Sequence, residues 1–288
     1  MSESARRSFD AAVSGNSSQS PAMKRLQFRT HFQPIYPIST QLVHISAHQV
    51  PLPAGFEALT RARLSDPSLV DMTSLRDALR FYKMMKTYIG MNKLDIDTTT
   101  LFVSVNFSPE TLANENLMFD VRDNLKKYGV RPRNLKIEIL ETPFPEGDFN
   151  TIKENIYALR SAGHKVVLDD FLKDDSNEER LELLGDGISG IKLDISFLSL
   201  PPEEQKRLIE NLASYEITLE GLETREHIET ALNTQAKLVQ GFLFNNPMRA
   251  RLALLTLGNR QGVPARPEIQ TPLERNHPPS EPTPPMVA

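Results

Sequence analysis

Short apolar runs of strand character alternate along this chain with stretches of helical period, and nearly every run stops at a polar side chain. The runs are Leu101 to Asn106, Leu135 to Ile139, Lys165 to Asp169, Ile188 to Leu193, Ile217 to Glu220 and Leu238 to Gln240. Helical patterns fill the gaps at Ser74 to Met91, Leu117 to Lys127, Asn150 to Ser161 and Glu203 to Ser214, with Gly163 placed as a stop. Strand-helix units repeating every 25 to 35 residues or so argue for a parallel sheet covered by helices. Their number favours a closed eightfold α/β barrel over an open sheet. A chain of 288 residues with 39% hydrophobic content is long enough for one domain of that size.

The ends of these runs carry the chemistry. Asn106, Glu138, Asp169 with Asp170, Lys192 with Asp194, Glu220 and Gln240 close six successive strands. In a parallel barrel the strand ends meet around one mouth, where catalytic side chains gather. Val166-Val167-Leu168-Asp169-Asp170-Phe171 is the sharpest case, three apolar residues ending in adjacent carboxylates. Two like charges about 4 Å apart repel by roughly 4 kcal/mol at an effective dielectric near 20, so the pair calls for cations or a shared proton. Several carboxylates with an asparagine oxygen form a hard-oxygen set suited to Mg2+ or Mn2+. The bland alternative makes each acid a helix cap, but it has to explain six strands at once.

Bulk properties narrow the rest. With 33 basic and 37 acidic residues the net charge is -4, which gives no electrostatic case for coating a nucleic-acid polymer. Zero cysteines exclude disulfides and thiolate metal sites and fit a reducing compartment. No long apolar run and no apolar signal core are present, so the expectation is a cytoplasmic protein without a membrane anchor. The organisation expected is a Ser-rich flexible leader over 1–24, a barrel over 25–258 and a Pro-rich disordered tail over 259–288. The tail is read as solubilising, with recruitment of a protein partner as its second role.

Some patterns lead elsewhere and are set aside. Gly185-Asp186-Gly187-Ile188-Ser189-Gly190 fits a dinucleotide fingerprint, but it follows a helix and precedes a strand, so it reads as a turn. His44 and His48 have zinc-like spacing only in a helix, and their surroundings read as extended. Leu79 to Met91 reads as a core face, with a homodimer surface as its second role.

Seven motifs occur in order: Gly55-Phe56-Glu57-Ala58-Leu59-Thr60-Arg61, Ser104-Val105-Asn106-Phe107-Ser108-Pro109, Glu138-Ile139-Leu140-Glu141-Thr142, Leu168-Asp169-Asp170-Phe171, Ile191-Lys192-Leu193-Asp194, Glu220-Gly221-Leu222-Glu223-Thr224 and Gln240-Gly241-Phe242. Together they resemble the EAL family over residues 27 to about 250. That family comprises bacterial phosphodiesterases of cyclic di-GMP and degenerate relatives that only bind it. The resemblance implies a modified TIM-type (β/α)8 barrel that hydrolyses cyclic di-GMP to linear pGpG at two Mg2+ or Mn2+ ions. It implies Glu57, Asn106, Glu138, Asp169 and Asp170 as metal ligands, with Asp169 shared. Lys192, Glu220 and Gln240 would serve the attacking water, and Glu141 and Glu223 complete the catalytic set. Gln33, Arg61, Asp194 and Pro247 would meet the substrate, with Gln33 on guanine and Arg61 on a phosphate.

One motif departs from the family. After Asp169-Asp170-Phe171 active members continue with a glycine-containing loop and Tyr-Ser-Ser, whereas this chain reads Leu172-Lys173-Asp174-Asp175-Ser176-Asn177. Losing the glycine removes easy access to positive φ beside the metals, at a loop that in the family couples metal binding, ligand binding and dimerisation. Thr60 and Ala62 also replace a Leu and a Trp common in active relatives, and Leu222 a Val. The resemblance thus implies a phosphodiesterase, with a catalytically silent cyclic di-GMP receptor or a protein-interaction adaptor as the alternatives.

Overall fold

The computed structural model describes residues 28–44, 51–61, 66–140, 142–145, 147–172, 180–182 and 184–258. The expected leader and tail, the loop from Lys173 to Asn177, Glu141 and the His44 and His48 side chains lie outside them. Eight strands close into a barrel in sequence order: β1 (Arg29–Pro37), β2 (Gly55–Arg61), β3 (Phe102–Phe107), β4 (Leu135–Ile139), β5 (Lys165–Phe171), β6 (Gly190–Leu193), β7 (Glu216–Leu219) and β8 (Leu238–Val239). From β2 to β8 all neighbours are parallel, but β1 runs antiparallel to both β2 and β8. That reversal is the modification of an otherwise parallel (β/α)8 barrel.

The four expected helices are present, the first starting seven residues earlier than its pattern implies, and among the described residues three more occur that the pattern does not announce. Helix α1 (Pro67–Met91) starts at Asp66, whose side chain accepts from the Leu69 backbone N–H at 3.1 Å, and has proline in its first turn. It is followed by α2 (Pro109–Leu112), α3 (Leu117–Tyr128), α4 (Phe149–Ser161), α5 (Pro202–Asn211), α6 (Arg225–Leu232) and α7 (Ala250–Gly258). Leu79, Phe81, Tyr82, Met84, Met85 and Ile89 of α1 are buried in the core. Gly163 follows α4 at φ +95° and ends it as the sequence implies. Gly185–Gly187 forms a 3-10 turn ahead of β6, in keeping with the turn reading. No helix among the described residues is long and apolar enough to cross a membrane.

Strand alternation divides the side chains into two environments. Phe56, Ala58, Val103, Val105, Phe107, Leu135, Ile137, Ile139, Val166, Leu168, Ile191, Leu193, Ile217, Leu219 and Val239 are no more than 2% exposed and build the layer between barrel and helices. The alternate positions are strongly polar. Ile35, Phe102 and Leu238 form a small apolar plug. Lys136 lies 3.8 Å from the Phe102 ring centroid and 2.6 Å from Glu216, which also pairs with Lys165. The remaining inward positions include Glu57, Ser104, Asn106, Glu138, Asp169, Lys192 and Gln240. Stability therefore comes from the outer apolar layer, and the barrel lumen holds charge.

Gly241 fixes the relation of β8 to the loop after β7. A Cβ there would lie 2.1 Å from the Leu222 carbonyl oxygen and 2.4 Å from its nitrogen, so backbone passes directly over backbone. This crossing brings Gln240 and Glu220 to the same mouth. Gly241→Ala should cost about 1–3 kcal/mol, the usual range for forced overpacking, measured by urea denaturation. An unchanged unfolding midpoint would contradict the crossing.

Candidate active site

Ladder register sets the heights of the polar side chains. Gln33 pairs with Glu57 across β1 and β2, and Asn106 with Glu138 across β3 and β4. Asp169, from β5, stands where pairing with β6 shifts register between Leu168 and Phe171. Lys192 closes the group from β6 and Glu220 directly follows β7.

Lys192 sits among four carboxylates. Its Nζ lies 2.7 Å from Asp169 Oδ1, 2.9 Å from Glu220 Oε2, 3.1 Å from Glu138 Oε2 and 3.4 Å from Glu57 Oε2. Glu57, Glu138 and Asp169 each offer an oxygen within 4.8 Å of the others, and all three residues are buried. Asn106 Nδ2 donates to Glu57 Oε1 at 2.8 Å, and Gln240 Nε2 donates to Glu57 Oε2 at 2.7 Å and to Gln33 Oε1 at 3.1 Å. Asn106 Oδ1, Glu220 Oε1 and Gln240 Oε1 are buried without a hydrogen-bond partner among the described residues. Orphaned acceptors beside surplus carboxylates fit a cation, so the carboxylate triad could hold a metal ion.

One ammonium does not neutralise four acids, and burial decides how the surplus is held. Burial pushes Glu138 up to about 8, and the charges of Glu57 and Asp169 add to the effect against Lys192. Burial also raises Asp169 and Glu220, the latter well above its ordinary range, despite the attraction of Lys192. Burial acts the same way on Glu57, but Lys192 and the hydrogen bonds from Gln240 and Asn106 outweigh it and hold that carboxyl low. Burial disfavours the Lys192 ammonium, yet Asp169, Glu138, Glu220 and Glu57 together raise it well above its ordinary value. The cluster therefore favours a charged lysine and an ionised Glu57, while Glu138, Asp169 and Glu220 are all pushed toward their protonated forms.

Two cavities open at this end. One of about 280 Å³ is lined by Gln33, Glu57, Asp169, Asp170, Lys192, Asp194, Glu220, Glu223 and Gln240, with Phe242, 56% exposed, on its rim. The second, of about 510 Å³, is lined by His31, Arg61, Asp71, Asn106 and Pro247, and Leu59 borders both. Apart from Glu141, which lies outside the described residues, the sequence-assigned groups gather in two adjoining lobes, with Glu138 beside Lys192. Asp170 lies at the rim outside the tight triad, and Asp194 also accepts from the Ser196 backbone N–H at 2.8 Å.

Sequence reading missed a supporting chain below Gln240. Gln33 Nε2 donates to the Asn245 carbonyl at 3.2 Å, and Tyr36 OH donates to Asn245 Oδ1 at 2.7 Å. A backbone carbonyl only accepts, so it orients Gln33, which in turn orients Gln240. It also missed Arg180, which donates to the Leu140 carbonyl and lies 4.8 Å from the Phe144 ring centroid. These partners are distant in sequence and no local pattern announces them. The altered segment after Phe171 begins with Leu172 at φ +80°, and Asp170 has φ +51°. Leu172 thus takes a left-handed backbone without being glycine, at a strain of about 1–2 kcal/mol.

The Glu138 value gives a signed test. Its folded-state pKa of about 8 lies above its ordinary 4.5, so the folded metal-free protein holds a proton that the unfolded chain has released. The resulting stabilisation is complete below pH 4.5 and is lost as pH rises through 8. Melting temperatures of metal-free protein should fall across that window more steeply than those of Glu138→Gln. Parallel slopes in the two proteins would refute the assignment.

A family model for the EAL domain matches residues 16–247. Among curated proteins, the cyclic di-GMP phosphodiesterase PdeA of Borreliella burgdorferi is 27% identical over 186 residues, 62% of this chain and 26% of that protein. The probable cyclic di-GMP phosphodiesterase PdeB of Escherichia coli is 25% identical over 242 residues, 79% of this chain and 44% of that one. The chain spans less than half the length of these relatives. The EAL enzyme Bd1971, solved with cAMP and cyclic di-GMP bound, superposes with a TM-score of 0.68 at 19% identity, covering 88% of this chain and 69% of that one. The EAL domain of Mycobacterium smegmatis DcpA gives 0.65 at 20% identity over 82% of this chain and all of its own. These two structures share the fold, and the family match across most of the sequence, with the carboxylates at the strand ends, makes this chain a member of the EAL family.

Proposed function

We propose that the protein hydrolyses cyclic di-GMP to linear pGpG with Mg2+ or Mn2+. The observation that carries this reading is the buried Glu57, Glu138 and Asp169 triad beside a lobe that holds Arg61. Relatives named as cyclic di-GMP phosphodiesterases and a neighbour solved with that ligand point the same way.

The residues that would hold metal are Glu57, Asn106, Glu138 and Asp169, with Asp170 serving a second ion. Their oxygen-only donors suit Mg2+ or Mn2+. When bound, the metal supplies the Lewis acidity that makes water nucleophilic near neutral pH and offsets phosphodiester charge in an acidic mouth. Arg61 clamps a phosphate, which its planar fork does better than an ammonium. Gln33 meets a guanine, and Asp194 and Pro247 border the nucleotide. Lys192 Nζ orients the attacking water, Glu220 Oε1 accepts its proton and Gln240 Oε1 fixes its remaining O–H. Water oxygen bonds to phosphorus as the phosphorus to 3′-oxygen bond breaks, and a proton passes to that oxygen to leave a 5′-phosphate. Glu223 supports the wall next to Glu220, and Glu141 is assigned to the loop anchor from sequence.

A receptor reading has its own support, since Leu172 and the charged residues after it replace the family's glycine-containing loop. One experiment separates the two. Purified protein with cyclic di-GMP and either metal should form linear product and lose it with chelator, and binding without product under both metals would establish a receptor. Glu57→Ala and Asp169→Asn should lower turnover by about 100-fold or more, while Arg61→Ala should mainly weaken binding, by about tenfold. Unchanged hydrolysis in Asp169→Asn would remove the metal site. Replacing Leu172 to Asn177 with a glycine-containing loop should raise turnover, and no gain would clear the loop of blame.

A further inference from the structure

Helix α1 turns three polar side chains toward the barrel, Asp71, Ser74 and Asp77, spaced three apart. Residues at that spacing share a helix face, and a face packed on a barrel is ordinarily apolar. Asp71 is 6% exposed and Ser74 4%, and a buried carboxylate is costly unless its oxygens accept good hydrogen bonds. Each of the three reaches a different part of the wall. Asp71 Oδ2 accepts from the Ser108 backbone N–H at 2.7 Å and from the Thr111 hydroxyl at 2.7 Å. Ser74 Oγ donates to the Ala58 carbonyl at 3.2 Å. Asp77 Oδ2 accepts from the Thr30 hydroxyl at 2.7 Å, and Thr30 and Thr60 share a further hydrogen bond of 2.8 Å.

The first two contacts end beside proposed metal ligands. Ala58 follows Glu57, and Ser108 stands two residues beyond Asn106. The β2–β3 ladder stops at Ala58 and Val105, so Asn106 projects past the last pair that could fix its distance from β2. Its Nδ2 nevertheless donates to Glu57 Oε1, which leaves Oδ1 as the buried free acceptor. We propose that Asp71 and Ser74 are positioning residues that clasp the middle of β2 at Ala58 and the exit of β3 at Ser108 and thereby hold Glu57 and Asn106 in a metal-binding pose. The inference rests on the metal-centre reading above, but it needs neither the substrate nor turnover. It also explains why α1 keeps a carboxylate on its buried face.

Titrating the full chain with Mn2+ alone, followed by the electron paramagnetic signal of the free ion, tests it. Asp71→Ala should weaken Mn2+ binding about tenfold or more, as loss of a group supporting a ligand commonly does. Asp71→Asn keeps an acceptor oxygen and should stay within about threefold of wild type. Asp77→Ala touches only the upper rim of β1 and β2 and should keep wild-type affinity for Mn2+. Melting curves give the folded fraction in each case. Unchanged affinity of folded Asp71→Ala, or an equal loss in Asp77→Ala, would overturn the clasp. Should Asp71→Ala fail to fold, Thr111→Val removes one donor from the same oxygen, with weakened binding supporting the clasp and wild-type affinity overturning it. Wild-type protein that binds no Mn2+ would defeat the metal centre itself, a result distinct from failure of the clasp alone.

Discussion

The interaction on which this barrel depends is the contact of one ammonium, Lys192, with four carboxylates inside a closed sheet. A buried acid without compensation is expelled or protonated, and a lysine among them removes only part of the repulsion. The protein meets the remainder by leaving a proton on Glu138 and by turning the amides of Asn106 and Gln240 so that both donate to Glu57. Those same turns leave amide oxygens facing the lumen. Electrostatic relief and the presentation of cation ligands are therefore one arrangement.

The fold tolerates a charged lumen because it stores its apolar burial elsewhere. One face of each strand packs on helices, and the opposite face is released for chemistry at the top and for the Lys136, Lys165 and Glu216 group below. Short strands and tight registers then hold the acids at fixed heights. The reversal of β1 brings Gln33 level with Glu57, and the Gly241 crossing brings Gln240 and Glu220 together. Backbone strain enters directly after Phe171. Leu172 takes a left-handed backbone that glycine would adopt without strain, immediately beside the Asp169 and Asp170 pair.

Much of this was legible in the residues. Six strands announced themselves because apolar runs ended in polar groups, and the same ends named Asn106, Glu138, Asp169, Lys192, Glu220 and Gln240. Strand β1 was not legible from pattern, since Pro34 and Pro37 argue against a strand within a sheet. Its antiparallel course was equally hidden, because nothing local to Arg29–Pro37 encodes direction. Asp71 and Ser74 were missed for a different reason. Polar residues three apart on an amphipathic helix normally mark its solvent face, and only the packed structure shows that these point inward. Arg180, Tyr36 and Asn245 join segments far apart in the chain, at separations where sequence spacing carries no information.

On binding, a divalent cation takes over from protons held in the Lys192 cluster. Proton release on Mn2+ binding tests it most directly, measured at pH 7 by calorimetry in two buffers of different ionisation enthalpy. Metal ligands must be deprotonated to bind, so net proton release is expected, and less of it from Glu138→Gln. Mn2+ binding with no proton released would contradict it.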